Sequence, residues 1–355
     1  MHQNAPKTAL NGLKMPLKTT KKRVFGVFLA CFWAIFGVIL PGLAEENLAD
    51  FPIQAHQNPP DFESQLALSP AMSADVIAYG KGEKLIFQRL ETPQAVLHIL
   101  IIPNQAPYTL NLAVANRLNT LPEFAQKSPH AISLINAGYF DPANGKSISH
   151  LILPDGTTHK TLDNERLTNN EALTPYLEKF DNRPEFRRYE CLCKTGQRAT
   201  RYQIAATHKA PIPTGCLLTF AVGGGPMLLP QYTPYQEAFV DTDPDTGRVT
   251  RDPIGVNVAN ARTAVGVRAN GDVVLVMAGQ QVVQENGRHV MTQRGLSLPH
   301  LVQVFKTLGV ETALNLDGGS SSGLVSDGTV YYGKLNADGK PVVRDLKSVL
   351  LVVPK

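Results

Sequence analysis

Four short segments of the sequence place polar or charged side chains directly beside glycines, in patterns that could do chemistry. They are NAGYFD (136–141), GGGP (223–226), ART (261–263) and DGGSSS (317–322). Each lies beside an apolar, strand-like run. Strand ends that meet at one edge of a sheet commonly build a site, and glycines let backbone N–H groups approach an anionic oxygen. We therefore expect the four segments to form one site for an anionic ligand.

Three side chains in these segments are the main candidates for chemistry. Asp317 follows a buried, strand-like run and is predicted to be an acid, a base or a metal ligand. The planar guanidinium of Arg262 suits phosphate or carboxylate. Asn136 has an amide side chain that could hydrogen-bond a ligand. Two alternatives remain open. Asp317 could have no role beyond capping a turn, and Arg262 could form an ion pair at the surface.

The serines after Asp317 raise the question of a serine nucleophile. The run 319–323 matches the letters Gly-x-Ser-x-Gly, with Ser321 at the centre. That motif lies on a turn between a strand and a helix, whereas the following LVSDGTVYYG predicts a strand and a turn. No Gly-Lys-Ser/Thr follows the glycines, so a P-loop is also disfavoured.

Taken in order, NAGYFD, GGGPML, ARTAVG and NLDGGSSSGL resemble the motifs of the phosphodiester glycosidase domain, over roughly residues 76–355. The resemblance implies an α+β fold and hydrolysis of the bond between a sugar's anomeric carbon and a phosphodiester. It implies catalytic roles for Asp317, Arg262 and Asn136, with Asn136 hydrogen-bonded to the sugar or the phosphate of the substrate. Substrate contacts are implied for Gly138, Asp141, Gly224, Gly225, Thr263, Gly318, Gly319 and Ser321, although Asp141 could only cap its turn. Ala137, Tyr139 and Ser320 depart from the family pattern.

Two rival functions use the same turns. A non-catalytic protein of the cell envelope could hold a sugar-phosphate polymer for binding or assembly without turnover. A metal-dependent phosphodiesterase would attack phosphorus instead of the anomeric carbon.

Carboxylates and histidines elsewhere are possible metal ligands. Asp241, Asp243 and Asp245 alternate as in the first half of a calcium loop, but the glycine comes one place late and the final Glu is absent. A calcium site and a solvated acidic loop are both open interpretations, and no other cofactor is predicted. Among the histidines, His150 follows the first glycine turn and is expected at the edge of the site.

The basic character of the chain is confined to its first part. Residues 1–44 contain six Lys/Arg and no acid, so the remainder has 28 basic and 30 acidic residues, a formal net charge of −2. This balance excludes a nucleic-acid footprint. A basic stretch, an apolar run at 24–40 and small residues up to Ala44 predict an export signal, or an uncleaved membrane anchor. Either one places the rest outside the cytoplasm, periplasmic or secreted, or held at the inner membrane.

The rest of the chain divides into a linker at 45–75 and one main domain at 76–355. Short strands with glycine turns and few helices predict an α+β fold with a mixed, strand-dominated sheet core. The polar segment 155–210 is expected to be a loop-rich insertion. Cys216 is expected to form a disulfide with Cys191 or Cys193, since those two are too close to bridge easily.

Overall fold

The computed structural model describes residues 85–193, 196–285, 288–290 and 295–355. The predicted leader, the linker and the start of the predicted domain lie outside these ranges. Among the described residues, no helix is both long and apolar enough to cross a membrane.

Strands dominate the described residues. In chain order they are β1 Ile86–Glu91, β2 Val96–Ile102, β3 Tyr108–Asn119, β4 Ser133–Asn136, β5 Leu151–Ile152, β6 Thr158–His159, β7 Glu185–Leu192, β8 Arg198–Ala205, β9 Cys216–Gly223, β10 Met227–Leu229, β11 Asp241–Thr242, β12 Val249–Arg251, β13 Arg262–Val267, β14 Val273–Gly279, β15 Val283–Glu285, β16 Arg288–Val290, β17 Thr312–Asn315, β18 Gly323–Ser326, β19 Thr329–Tyr332 and β20 Leu346–Pro354. The α-helices described are α1 Leu121–Lys127, α2 Glu165–Thr168, α3 Leu177–Asp181 and α4 Leu298–Thr307, and 3₁₀ turns cover Thr161–Asp163, Glu171–Tyr176 and Gly319–Ser321. The predicted α+β class is confirmed.

Three larger sheets build the domain. One has the order β1-β2-β14-β13-β17-β10, the second β19-β18-β4-β20-β3, and the third β6-β5-β9-β7-β8. The strand directions differ from the mixed sheet we expected, because every ladder in the described part of the chain is antiparallel.

The six-stranded sheet is buried on both faces. Consecutive residues of β14 enter two different apolar clusters, Leu275 one cluster and Val276 the other. The two-residue period of a strand requires this alternation. One cluster joins this sheet to the two five-stranded sheets. The other packs it against Leu301 and Phe305 of α4. Helix α4 begins after Ser297, whose hydroxyl caps the helix by accepting a hydrogen bond from the His300 N–H.

Antiparallel pairing brings three of the four motif segments together. In the six-stranded sheet Ala264, near the start of β13, pairs with Asn315 at the end of β17. In the second sheet Leu324, near the start of β18, pairs with Ile135 near the end of β4. The turns that carry Arg262, Asp317 and Asn136 therefore lie at neighbouring strand ends.

The segment 155–210 differs from the loop-rich insertion we expected. It contains α2, α3, β7 and β8, and β7 pairs with both β8 and β9. Phe186 and Tyr189 of β7 are buried, so the segment contributes to the domain core. Cys191 of β7 and Cys216 of β9 are paired in register and form a disulfide, which confirms one of the two expected pairings, and Cys193 is free.

Candidate active site

Asn136 connects three of the four motif segments. Its side chain is buried, and its Nδ2 donates to the main-chain carbonyl of Asp317 at 2.7 Å. Its Oδ1 accepts from the Thr263 hydroxyl at 2.7 Å and from the Gly323 N–H at 3.0 Å. These contacts use the amide within the protein, so the geometry gives Asn136 a positioning role. Its predicted contact with substrate remains a prediction.

Asp317 is the candidate carboxylate that remains partly accessible to solvent. Its N–H donates to the Ala137 carbonyl at 3.0 Å, which fixes the main chain, and its Oδ1 accepts from the Gly318 N–H at 2.9 Å. Burial raises the pKa of Asp317 to about 6, although the Ser321 hydroxyl and the charge of Arg344 act in the opposite direction. An acid with such a pKa exchanges protons near neutral pH, as acid–base catalysis requires.

Ser321 lies in the 3₁₀ turn after Asp317, and its hydroxyl is hydrogen-bonded to the Asp317 carboxyl. The turn leads into strand β18 and not into a helix. This geometry matches the expectation that argued against a serine nucleophile.

Arg262 is placed differently from our expectation. Its side chain is 2% exposed, and it donates four hydrogen bonds to the main-chain carbonyls of Leu296, Ile254, Gly255 and Val258. A guanidinium has five N–H groups, so this arginine is almost fully used within the protein. The structure thus gives Arg262 the role of holding the loop at 254–258, and its contacts offer no support for the predicted phosphate contact.

The arrangement of the glycines also differs from the predicted anion cradle, because their N–H groups donate hydrogen bonds to acceptors within the protein. The N–H groups of Gly224, Gly225 and Gly319 donate to the carbonyls of Pro184, Asn315 and Ala261, and that of Gly138 donates to the Ser348 hydroxyl.

Close packing explains why glycine stands in the second turn. A Cβ on Gly224 would lie 2.5 Å from the Asn315 carbonyl oxygen, and one on Gly225 would lie 2.3 Å from Glu237 Oε2. Side chains therefore have no room there, whatever the ligand.

Two further groups of predicted residues form hydrogen bonds within the protein. Asp141 is buried, its Oδ1 accepts from the Ala143 N–H, and its Oδ2 accepts from Arg166 at 2.7 Å. It therefore caps its turn, the alternative we left open.

In the acidic loop, Asp243 accepts three hydrogen bonds from Asp245 and Thr246, while Asp241 accepts from the Tyr176 hydroxyl at 2.6 Å. Within the residues described, no group of three or more His, Cys, Asp or Glu side chains is arranged to hold a metal ion. The predicted calcium site therefore lacks a ligand set in this loop.

A small pocket of about 10 Å³, room for roughly one water molecule, opens beside the second glycine turn. Its lining residues come from the segment after the first turn, from α3 and its end, and from the second turn: Ile148, Ser149, His150, Thr161, Phe180, Asp181, Arg183, Gly223 and Gly224. His150 was expected at the site edge, but Asp181 and Arg183 were missed because they lie in the polar segment taken for an insertion. The sequence offered one signal, a cluster of charges in DNRPEFRR (181–188).

Arg183 brings positive charge to this pocket. Its guanidinium carbon lies 3.8 Å from the ring centroid of Phe239, and Nε and Nη2 donate to the Glu237 carbonyl at 3.2 and 3.1 Å. These bonds use two of its five N–H groups. Burial lowers the pKa of Arg183 to about 10, which keeps it charged at neutral pH.

A network of buried polar groups runs from the pocket region to Asn315, two residues before Asp317. Tyr139 donates to the Gly225 carbonyl at 2.8 Å and accepts from Asn315 Nδ2 at 2.7 Å, and burial raises its pKa. Glu237 accepts from the Met227 N–H at 2.8 Å through Oε1, and burial raises its pKa to about 7. Its buried Oε2 has no hydrogen-bond partner among the residues described.

Comparison with known proteins agrees with the motif assignment. The family model for phosphodiester glycosidase matches residues 130–353, more than half of the chain. A mouse (Mus musculus) protein, N-acetylglucosamine-1-phosphodiester alpha-N-acetylglucosaminidase, is 39% identical over 75 residues, which are 21% of this chain and 13% of the mouse protein. This chain thus matches only a small part of the length of that relative.

This chain is also similar to solved structures. One is the zebrafish N-acetylglucosamine-1-phosphodiester alpha-N-acetylglucosaminidase catalytic domain auto-inhibited by its pro-peptide. It has 16% identity and a TM-score of 0.49, over 82% of this chain and 86% of that one. A putative exported protein from Burkholderia pseudomallei has 15% identity and a TM-score of 0.45, over 76% of this chain and 74% of that one. The match of the family model over 130–353, with all four motif segments inside it, shows that this chain belongs to the phosphodiester glycosidase family.

Proposed function

We propose that this protein is an exported hydrolase that cleaves the bond between the anomeric carbon of a sugar and a phosphodiester in envelope or extracellular glycans. The observation that carries the proposal is Asp317, a partly exposed residue whose carboxyl has a pKa raised to about 6 by burial, at the point where the family's motif segments meet. The match to the phosphodiester glycosidase family supports the reaction type. Export follows from the basic and apolar leader in the sequence.

The proposed reaction places opposite charges on the two sides of the breaking bond. The sugar develops oxocarbenium character, which a carboxylate stabilises, and we assign this role to Asp317. The departing phosphate gains negative charge, which a fixed guanidinium stabilises. We assign the phosphate contact to Arg183, because it lines the pocket and keeps N–H groups beyond those bound to Glu237. Arg262 and Asn136 then hold the turns in place.

The test is release of free sugar from a synthetic sugar-1-phosphodiester by purified protein. We expect Asp317→Asn to lower kcat by about 10²–10⁴-fold with the fold intact, while Asp338→Asn, a change in an exposed turn, leaves kcat unchanged. In ¹⁸O-water the label should enter the sugar. Label on phosphate would instead identify a phosphodiesterase that attacks phosphorus.

Two arginine variants separate phosphate binding from support of the fold. We expect Arg183→Gln to lower kcat/KM by about 10²-fold, with little change in melting temperature. Arg262→Gln should mainly lower the melting temperature, because four main-chain carbonyls lose their donors. The opposite pattern would return the phosphate contact to Arg262.

Binding of a sugar-phosphate polymer without product, at every substrate tested and with or without added calcium or chelator, would favour the rival envelope-binding function. One structural observation supports this rival function. The glycine N–H groups donate hydrogen bonds within the protein, so they do not form the predicted backbone cradle for an anion.

A further inference from the structure

A buried chain of charged side chains leads to the wall of the pocket. Glu185, the first residue of β7, is 0% exposed. Its Oε2 accepts a hydrogen bond from Arg187 Nε at 2.9 Å. Its Oε1 forms a short contact with Nδ1 of His150, a residue that lines the pocket. The three side chains therefore run from the sheet interior to the pocket in the order Arg187, Glu185, His150.

Arg187 is fixed by every N–H group it carries. Besides Glu185, it donates to the carbonyls of Ala210, Thr207 and His208 and to the Tyr189 hydroxyl. A guanidinium bound at all five N–H positions cannot turn away from its carboxylate. These bonds also hold the loop that carries His208, whose ring lies 5.0 Å from that of His150. The imidazole is thus oriented from two sides.

The contact with Glu185 decides the tautomer of His150. Glu185 Oε2 accepts from Arg187, and the geometry suits a second hydrogen bond accepted at Oε1, with Nδ1 of His150 as the donor. In the neutral ring Nε2 then has a free lone pair. Nε2 makes no hydrogen bond with the part of the chain that the structure describes. An imidazole held in this way can accept a proton at Nε2, as in catalytic triads.

The position of His150 connects it to the candidate catalytic centre. Its carbonyl accepts from the Gly223 N–H at 2.7 Å, so it lies against the second glycine turn. Gly225 in that turn donates to the carbonyl of Asn315, two residues before Asp317. The charged residues that share the pocket lining with His150 are Asp181, whose carboxylate is 3.9 Å from His208 Nε2, and Arg183.

We propose that His150 is the general base of the hydrolytic step, with Glu185 and Arg187 as positioning residues. The proposal rests on the proposed function and adds the residue that activates water. Water attacks the anomeric carbon, and a new C–O bond forms while one water proton moves to Nε2 of His150. The bond from the anomeric carbon to the phosphate oxygen breaks, and its electron pair stays on that oxygen, which leaves as a phosphomonoester. His150 then releases the proton to solvent.

The experiment compares the wild type with His150→Gln, His150→Ala, Glu185→Gln and, as the matched control, His130→Gln, because His130 is exposed outside the pocket. The substrate is the same sugar-1-phosphodiester, and kcat and KM are measured separately. We expect the two His150 variants to lose about 10²–10⁴-fold in kcat with KM within about threefold. Glu185→Gln should lose about 10–100-fold in kcat. His130→Gln should match the wild type.

Chemical rescue separates a proton-transfer role from a structural one. Added imidazole should restore part of kcat in His150→Ala, in proportion to the concentration of neutral imidazole, and should leave His150→Gln unchanged because glutamine fills the space. Circular dichroism and melting curves report whether each variant folds.

The outcomes discriminate between the two proposals. An active wild type with equally active, folded His150→Gln protein overturns the role of His150 and leaves the proposed function standing. Loss of kcat in His150→Ala without rescue by imidazole also overturns it. If the wild type itself releases no sugar, the proposed function fails and the general-base role fails with it.

Discussion

Replacing Asp317 with asparagine should stabilise the protein while it removes activity. A carboxyl whose pKa is higher in the folded chain binds more protons when folded than when unfolded. Its contribution to the free energy of unfolding is therefore present at low pH and is lost as the pH rises from about 4 through about 6. Burial raises the pKa of Asp317 from 3.8 to about 6, which corresponds to roughly 3 kcal/mol at pH 8. An asparagine side chain at this position carries no charge and escapes this cost.

The assay is urea unfolding of the wild type and Asp317→Asn at pH 4 and pH 8. We expect the variant to gain up to about 3 kcal/mol relative to the wild type at pH 8 and little at pH 4. Asp155→Asn is the control, because the pKa of Asp155 is shifted in the opposite direction to that of Asp317. Asp155 is exposed, and its hydrogen bonds from Thr157 lower its pKa, so its removal should not stabilise the protein at pH 8.

A result in which Asp317→Asn is no more stable than the wild type at pH 8 would refute the reasoning, as would a gain of equal size at both pH values. The first outcome would mean that the Asp317 carboxylate is well solvated or well paired in the folded protein. Stability gained together with activity lost is expected when a charge is kept in a costly environment for function.

Three further predictions concern the support of the site. Asn136→Ala should destabilise the protein by about 3 kcal/mol, because three partners of its buried amide lose their hydrogen bonds; an unchanged urea midpoint would contradict this. Gly225→Ala should lower the melting temperature far more than Gly156→Ala, since both glycines have positive φ but only Gly225 lacks space for a methyl group; equal losses would remove the steric argument. Cys216→Ser should cost about 3 kcal/mol through the lost cross-link over 25 residues, whereas Cys193→Ser should not alter the unfolding curve, and the reverse order would point to a different pairing.

The sequence was sufficient for elements whose signals are local. The Asn270-Gly271 turn between β13 and β14 was predictable because Gly271 provides the positive φ that the turn requires. Helix α4 was predictable from its apolar spacing, its serine cap and Gly309, which has positive φ just after the helix. These features depend on residues close in sequence, so one chain displays them.

Strand partners were beyond the reach of the sequence, because pairing depends on contacts between distant segments. β7 reads as polar, with charges at Glu185, Arg187 and Arg188, yet it occupies an inner position in its sheet. Buried ion pairing and main-chain hydrogen bonds satisfy these charges, and no local pattern announces such partners.

At the site, the motif segments could be located from the sequence by itself. The sequence also favoured Asp317, and not one of the serines that follow it, as the candidate catalytic group. Only the tertiary structure decided how each group is used. It turned Arg262 and the glycine N–H groups inward, because buried hydrogen-bonding groups must find partners within the protein. It placed Arg183 and His150 at the pocket, because antiparallel pairing of β7 with β9 brings a polar segment beside the second glycine turn.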